Sequence, residues 1–397
     1  MKRLITLIII LVLIPHVFIN DTEKMESLDL SSSSDIIDDE LANMTLDEKI
    51  GQMLIININS KKYDTKLDKI LKTIAPSGII IKSNNITTYD NTVNLVKEMQ
   101  KNSKIPLIIS IDEEGGNVQR LLSMQDINVT SVPYMEYVGN TNDTSIAYSV
   151  GQILGYQVKS IGVNLDFAPV VDINSNALNK VIGKRSFGSD ANNVSNMANA
   201  LKKGIESIGV NTCLKHFPGH GDTSVDSHDD IPIVNKTLEE LMNVEFVPYI
   251  NAIKNGVDMI MIGHIALPNV TGDNTPASLS RKIVTNVLKE KLGYDGLIIT
   301  DALNMGAVTK NYDSSDIYIM AINAGIDILL MPELNAVDII KNAVSEGKIS
   351  IDRINESVKK ILTYKNKYIK EKYLDASYLN KEEYNDVLDK INILNQQ

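Results

Sequence analysis

Two stretches of this sequence carry residue types suited to nucleophilic and acid/base chemistry. Asp301 directly follows the apolar run "GLIIT", so its carboxylate would be held rigidly, as suits a nucleophile or an electrostatic stabiliser. The stretch "KHFPGHGDTSVDSH", residues 215–228, contains His228 two residues after Asp226. An aspartate at that spacing can fix the tautomer of the imidazole and raise its basicity, so that the other ring nitrogen exchanges a proton. A solvent-facing Asp–His pair is the alternative that the spacing leaves open.

Metal, phosphate and serine chemistry are less well supported. His216, His220, His228 and His264 could in principle ligate zinc, but the sequence has no H-E-x-x-H pair, and Lys215 would place a cation against the metal. The stretch "DEEGGNVQR" lacks the phosphate-binding G-x-x-x-x-G-K-[ST] pattern, and there is no G-x-S-x-G elbow. We therefore expect no metal and no cofactor, with a carboxylate and an imidazole as the reacting groups.

The elements that would position these residues follow a regular alternation. Beyond Leu41, eight short β-rich runs alternate with helical segments, which predicts βα units around a parallel sheet. Eight such units indicate an α/β fold built as a single (β/α)8 TIM-like barrel. The predicted strands cover residues 53–57, 78–82, 106–112, 164–172, 211–217, 258–264, 296–301 and 327–331.

Polar residues stand at the ends of most of these runs. In a barrel of this type the carboxyl ends of the strands converge on one face, where active sites are built. A turn residue in solvent would explain any one of them, but six together predict a shared polar pocket. The six are Lys82, Asp112, Asp172, His216, His264 and Asp301.

Composition limits the class of partner. The 397 residues are 43% hydrophobic, enough for a large core, and the formal net charge of -11 argues against nucleic acid, which needs clustered Lys and Arg. No nucleic-acid partner is therefore expected. The single cysteine, Cys213, excludes an internal disulfide, and its apolar neighbours predict a buried, inert thiol.

The N-terminal residues differ from the rest of the chain. Lys2 and Arg3 precede the apolar run "LITLIIILVLIPHVFI", which is typical of an export signal and shorter than a comfortable membrane span. A cleaved signal peptide and an N-terminal membrane anchor both stay open, and either predicts an extracytoplasmic protein. We expect signal or anchor at 1–20, an acidic spacer at 21–40, the barrel domain at 41–370 and a C-terminal helical tail at 371–397.

Five motifs, in order, carry a family resemblance. They are "IDEEGGNVQR", "NLDFAPVVDI", "GKRSFGSD", "KHFPGHGDTSVDSH" and "LIITDALNMGAV". Together they resemble glycoside hydrolase family 3, and within it the β-N-acetylglucosaminidase branch that trims peptidoglycan fragments. The resemblance runs from about Leu41 to about Tyr368. It implies a retaining β-N-acetylhexosaminidase that releases terminal β-linked N-acetylglucosamine in two displacements.

The resemblance also assigns roles to residues. It implies a covalent glycosyl-enzyme on Asp301 and an acid/base dyad of His228 and Asp226. The sugar contacts that it implies are Asp112, Arg120, Arg185, Lys215 and His216. Asn117 departs from the family pattern, which usually has arginine there, and this lowers the affinity expected for an anionic, peptide-bearing aglycone.

Other functions stay open on the sequence alone. A phosphorylase of the same family would transfer the sugar to phosphate, and a catalytically lapsed surface protein would only bind it. The retained Asp301, Asp226 and His228 argue against the lapsed protein. An ordinary β-glucosidase is disfavoured because those enzymes generally lack the long histidine loop.

Overall fold

The computed structural model describes residues 35–223, 227, 230–369 and 374–395. The chain falls into two units, divided between Met44 and Thr45. In the first unit, residues 35–43 are helical, whereas the sequence predicts a spacer up to residue 40. The predicted leader lies outside the described residues. In the part of the chain that is described, no helix is long and apolar enough to cross a membrane.

The strands of the second unit form two parallel sheets and one hairpin. One sheet has the order β11-β1-β2-β3-β6-β7, the other has the order β10-β9-β8, and β4 pairs with β5 as an antiparallel hairpin. The bounds are β1 Leu54–Asn57, β2 Gly78–Ile81, β3 Ile108–Ile111, β4 Glu113–Gly115, β5 Val118–Gln119, β6 Leu165–Asp166, β7 Asn211–Thr212, β8 Leu214–Phe217, β9 Met259–Ile262, β10 Leu297–Thr300 and β11 Leu329–Leu330.

Hydrogen bonds connect the two parallel sheets at both ends. Cys213 separates β7 from β8, and its N–H lies 3.0 Å from the carbonyl oxygen of Asp166 in β6. At the other end, Ile299 of β10 forms a parallel bridge with Ile328, next to β11. The predicted α/β class with parallel strands is confirmed, and each of the eight predicted runs contains strand.

One predicted strand is shorter than expected. The run 164–172 is strand only at β6, and Pro169 follows soon after. Proline has no N–H to donate to a ladder, so the regular pairing stops there. Val170 then rejoins the neighbouring strand through an isolated bridge to Lys215.

Helices cover the strands, whose side chains are buried on both faces, as expected for a parallel sheet. Thr45, Asp64, Asp190 and Ser350 cap helix N-termini by accepting a backbone N–H. The α-helices of the second unit are Leu46–Gln52, Thr65–Ile74, Tyr89–Asn102, Met135–Asn140, Thr144–Ser160, Ala191–Ser207, Leu238–Asn243, Val247–Lys254, Pro268–Thr271, Gly306–Thr309, Ser314–Ala324, Ala336–Ser345, Ile351–Tyr368 and Glu383–Leu394, and Lys282–Lys291 is a π-helix.

The C-terminal residues belong to the second unit and pack on it. Leu379 is fully buried, and its carbonyl accepts the N–H of Thr130 at 2.9 Å. Thr130 also donates its hydroxyl to Asn380 at 2.8 Å. The predicted tail therefore lies beside the segment that leads from the β4–β5 hairpin to the following helix.

Candidate active site

A cavity of about 360 Å³ opens at the carboxyl ends of the parallel strands. Its volume lies within the range of small-ligand sites. Four of the six polar residues predicted at strand ends line it, namely Lys82, Asp112, His216 and Asp301. The other two, Asp172 and His264, are buried behind the wall, where they hold neighbouring groups.

One wall of the cavity is a network of alternating charges. Lys215 Nζ lies 2.7 Å from Asp112 Oδ1 and 2.6 Å from Glu114 Oε1. Arg185 binds the same Glu114 carboxylate through two nitrogens, Nε at 2.7 Å and Nη2 at 2.8 Å. Burial opposes ionisation of Glu114, but Arg185 and Lys215 outweigh it and hold the pKa of this carboxyl well below its usual range.

The β4–β5 hairpin brings Arg120 to the rim of this wall. Gly115 and Gly116 at its turn have φ values of 89° and 57°, which favour glycine. Oε2 of the Glu113 carboxyl accepts the backbone N–H groups of Arg120 and Leu121 at 2.7 and 3.2 Å. Arg120 Nη2 then lies 3.5 Å from Asp112 Oδ2, so Asp112 faces one cation on each oxygen.

Asp301 stands at the end of β10 on the cavity wall. Its Oδ1 accepts the N–H of Ala302 at 2.7 Å, and its own N–H donates to the carbonyl of Ile262 in β9. Burial opposes ionisation, yet the charges of His216 and His264, the Ala302 N–H and Lys215 together lower the pKa of Asp301. The carboxylate is therefore fixed and ionised, as a nucleophile requires.

His264 supports the loop that follows Asp301. The imidazole is fully buried, with Nε2 3.1 Å from the carbonyl oxygen of Ala302 and Nδ1 2.7 Å from Ser278 Oγ. Since a carbonyl can only accept, Nε2 carries the proton and donates it. His264 thus fixes the peptide whose N–H binds the Asp301 carboxylate.

His216 is oriented by Asp172. The two side chains meet at 2.7 Å, between His216 Nδ1 and Asp172 Oδ2, and the backbone N–H of His220 donates to Asp172 Oδ1 at 2.7 Å. Asp172 is almost fully buried, so its carboxylate requires these donors. The arrangement leaves His216 Nε2 for the cavity, which His216 lines.

In the histidine-rich stretch 215–228, the structure describes residues 215–223 and Ser227. Gly221 packs so closely on the chain that a Cβ atom there would lie 1.8 Å from the carbonyl oxygen of Ile173, so only glycine fits. His220 and Ser227 also line the cavity. The predicted acid/base residues, Asp226 and His228, lie outside the described residues.

Comparison with known proteins decides which family this geometry belongs to. Residues 45–364 match the family described as "Glycosyl hydrolase family 3 N terminal domain". The chain belongs to this family. Its α/β fold with parallel strands is that of a glycosyl hydrolase family 3 domain.

Within this family, the chain is similar to two curated proteins and one solved structure that are named for activity on hexosaminides. The chain is 31% identical over 367 residues to "Beta-hexosaminidase A" of Pseudoalteromonas piscicida, covering 82% of this chain and 61% of that protein. It is 32% identical over 329 residues to "Beta-hexosaminidase LpqI" of Mycobacterium tuberculosis, covering 80% of this chain and 82% of that protein. A glycoside hydrolase family 3 β-N-acetylglucosaminidase from Paenibacillus sp. str. FPU-7 superposes with a TM-score of 0.83 at 33% identity, covering 88% of this chain and 69% of that one.

These similarities confirm the predicted family and the predicted enzyme class. The protein is a glycosyl hydrolase of family 3 with β-hexosaminidases among its relatives. It spans less than two thirds of the Pseudoalteromonas enzyme, but most of the mycobacterial one. The roles of individual residues are not contained in these comparisons and stay predictions.

The structure brings six of the predicted family 3 site residues to one cavity. They are Asp112, Arg120, Arg185, Lys215, His216 and Asp301. Asn117 is exposed on the β4–β5 turn. Among the described residues, no three His, Cys, Asp or Glu side chains form a group that could hold a metal ion. Cys213 is buried, as predicted, and burial raises the pKa of its thiol.

Sequence reasoning missed Glu114, which joins Arg185 to Lys215. The signal was present, because residues two apart along an extended chain point to the same side, and Glu114 follows Asp112 by two. It also missed the supporting roles of Asp172 and His264, although it placed both at strand ends. Their function depends on which neighbour each faces, which only the three-dimensional arrangement reveals.

Proposed function

We propose that this protein is a retaining β-N-acetylhexosaminidase that removes terminal β-linked N-acetylglucosamine from peptidoglycan-derived fragments. The observation that carries the proposal is the Asp301 carboxylate, fixed by Ala302 and ionised at the wall of a polar cavity. The named activities of the relatives, β-hexosaminidase and β-N-acetylglucosaminidase, support the choice of sugar.

The proposed reaction has two displacements at the anomeric carbon. Asp301 attacks that carbon while the glycosidic bond breaks, and the leaving oxygen takes a proton from His228, which is paired with Asp226. Water then attacks the glycosyl ester and gives a proton to His228, which frees Asp301 and releases the sugar with its β configuration retained. An acid/base histidine replaces the second carboxylate of the usual scheme.

The charged wall can form hydrogen bonds with the hydroxyl groups of the sugar that is transferred to Asp301. Asp112 can accept from a hydroxyl, while Lys215, Arg120 and Arg185 can donate to sugar oxygens. His216, held by Asp172, offers a further polar contact. The sugar would therefore lie between this wall and Asp301, with its anomeric carbon facing the nucleophile.

The finer architecture is part of the same proposal. The hydrogen-bonded junctions at Cys213 and Ile328 support one closed (β/α)8 barrel of the TIM type. We place the catalytic domain at 41–370, with a helical tail at 371–397. The apolar run near the N-terminus supports an export signal at 1–20 or a membrane anchor, and hence an extracytoplasmic enzyme.

The test is turnover of aryl β-glycosides by the purified protein. The proposal expects hydrolysis of the β-N-acetylglucosaminide, weak or no hydrolysis of the matched β-glucoside, and a β-anomer as the first product in an NMR time course. Release of the α-anomer first would overturn the retaining mechanism. Formation of sugar 1-phosphate on addition of phosphate would instead identify a phosphorylase of the same family.

A further inference from the structure

His220 is a buried histidine for which the proposed reaction has no use. It is 1% exposed, and both of its ring nitrogens are engaged. Nδ1 lies 2.7 Å from Thr223 Oγ1, and Nε2 lies 3.1 Å from Ser227 Oγ. In sequence, Thr223 precedes residues 224–226 and Ser227 follows them. One imidazole therefore contacts the chain on both sides of this segment.

The direction of these hydrogen bonds follows from their other partners. Thr223 donates its hydroxyl proton to the carbonyl oxygen of His220 at 2.9 Å, so its oxygen accepts from Nδ1–H of the ring. Burial and the neighbouring His216 lower the pKa of His220, which favours the neutral ring. Nε2 of that neutral tautomer has no proton and accepts the hydroxyl proton of Ser227.

Ser227 is bound at a second point, by the loop that follows the proposed nucleophile. Its carbonyl oxygen accepts the N–H of Ala307 at 3.1 Å. Ala307 is one residue beyond the cavity-lining run Asn304–Gly306, and it follows by five residues Ala302, which binds Asp301. A chain of hydrogen bonds thus runs from His220 through Ser227 to the Asp301 loop.

We infer that His220 is a positioning residue that holds Ser227 against the Asp301 loop and so sets the place of the proton-transfer residues beside the nucleophile. The inference rests on the proposed function, since Ser227 lies between Asp226 and His228 in sequence. His220 would act on them through the chain, because one peptide bond joins each of them to Ser227. His220 itself touches no reacting atom in this account.

Leaving-group dependence separates this role from a merely structural one. The dinitrophenyl β-N-acetylglucosaminide releases a weakly basic phenolate, which can leave without being protonated. The phenyl β-N-acetylglucosaminide releases a more basic phenolate, whose departure needs the general acid. Misplacing the acid should therefore slow the phenyl substrate and spare the dinitrophenyl one. A general loss of folding or sugar binding would slow both substrates equally.

The test compares kcat/KM of both substrates in the full chain for His220→Asn, Ser227→Ala and the double variant. Asparagine can still donate to Thr223 but is too short to reach Ser227. We expect each single variant to lose on the order of 10- to 100-fold on the phenyl substrate and far less on the dinitrophenyl substrate. The double variant should lose no more than either single one, because both remove the same contact.

Two further variants and a stability measurement make the result decisive. His220→Gln places a polar group near the former Nε2 and should recover part of the phenyl activity. Ser175→Ala removes a hydroxyl that contacts Asp222 at the start of the same stretch and should behave as wild type. Thermal unfolding of every variant tests whether a loss reflects global destabilisation.

His228→Ala distinguishes the two proposals. If it slows both substrates equally, the assignment of the acid in the proposed function is wrong. If His228→Ala affects mainly the phenyl substrate while His220→Asn slows both equally or neither, the inference about His220 is wrong. Losses that multiply in the double variant would also overturn it, since His220 and Ser227 would then act separately.

Discussion

Glu114 Oε1 lies 2.6 Å from Lys215 Nζ, and both side chains are almost wholly buried. Arg185 binds the other side of the same carboxylate, and Lys215 also contacts Asp112. Because one anion orders two cations, the positions of Arg185 and Lys215 at the cavity depend on Glu114. This carboxylate is the centre of the charged wall of the cavity.

We predict that Glu114→Gln weakens substrate binding more than it slows the chemical step. The amide keeps the shape but leaves Arg185 and Lys215 under-compensated in a buried site, a change that costs about 3–5 kcal/mol in comparable buried pairs. The expected result is a rise in KM for the aryl β-N-acetylglucosaminide together with a lower unfolding free energy. Steady-state kinetics and urea titration measure the two effects.

A matched control is Glu98→Gln. Glu98 is half-exposed, and its contact with Lys101 is 3.8 Å long, so its loss should leave kinetics and stability unchanged. If Glu114→Gln resembled this control, the charged wall would not be organised by Glu114.

The buried carboxyl of Glu113 should make stability depend on pH. Desolvation by burial raises its pKa from 4.5 to about 8, although the Leu121 and Arg120 N–H groups oppose this change. A raised pKa means that the folded state holds a proton that the unfolded chain releases. Stability therefore falls as pH rises from about 4.5 to about 8, and it is level above that range.

Glu113→Gln should remove most of that fall. The amide cannot ionise, and its oxygen can still accept the N–H groups of Arg120 and Leu121. We expect the variant to exceed wild type in unfolding free energy at pH 8 by a few kcal/mol at most, because a tenfold difference in proton affinity corresponds to about 1.4 kcal/mol. Urea titrations across this pH range measure the difference; parallel curves for the two proteins would contradict the account. Asp166, whose pKa burial also raises, would keep a pH dependence of its own in the variant.

Replacing His264 should move the acid limb of the pH–rate profile. In the proposed mechanism Asp301 reacts as the carboxylate, so activity is lost as pH falls through its pKa. Burial alone would raise that pKa, and His264 is one of the groups that lower it. His264→Gln can still donate to the Ala302 carbonyl but carries no charge, so we expect the acid limb of kcat/KM to move to higher pH.

His264→Leu provides the comparison, because it removes both the charge and the donor. It should move the acid limb to the same extent and also lower the plateau rate, since the Ala302 peptide is no longer fixed. An acid limb that stayed in place in both variants would show that His264 does not act on Asp301.

The C-terminal segment should contribute to the stability of the catalytic domain. Leu379 is fully buried and its backbone bonds to Thr130, so Leu379→Ala should lower the unfolding free energy by about 2–5 kcal/mol. Ile393→Ala is the control, because Ile393 is 58% exposed. Equal stability of the two variants in urea titration would mean that the tail is dispensable for the fold.

Much of this fold could be predicted because its signals are local. Apolar runs such as Ile79–Ile81 are buried on both faces and are typical of parallel strands, and the polar residues after them mark the cavity. The run 164–172 is an exception. The sequence predicts one strand there, but Pro169 has no N–H for a ladder, and the run contains a short strand and an isolated bridge. Periodicity gives no account of such an interruption.

Of the site residues, those at strand ends could be predicted from local patterns in the sequence. Asp112, Lys215 and Asp301 are found together because strand ends converge, a property of the architecture. The pairing of Glu114 with Arg185 joins residues 71 positions apart. His220, which sequence reasoning left without a role, also depends on contacts across loops. Local patterns do not encode which partner such groups meet.

The central claim is that Asp301 forms the covalent intermediate. A slow fluorinated β-N-acetylglucosaminide with a good leaving group should trap that intermediate, because fluorine slows its hydrolysis. We predict that intact-protein mass spectrometry will show one added sugar, that peptide mapping will place it on Asp301, and that Asp301→Asn will gain no mass. A stable adduct on another residue, or turnover of ordinary substrate by Asp301→Asn at the wild-type rate, would contradict the account.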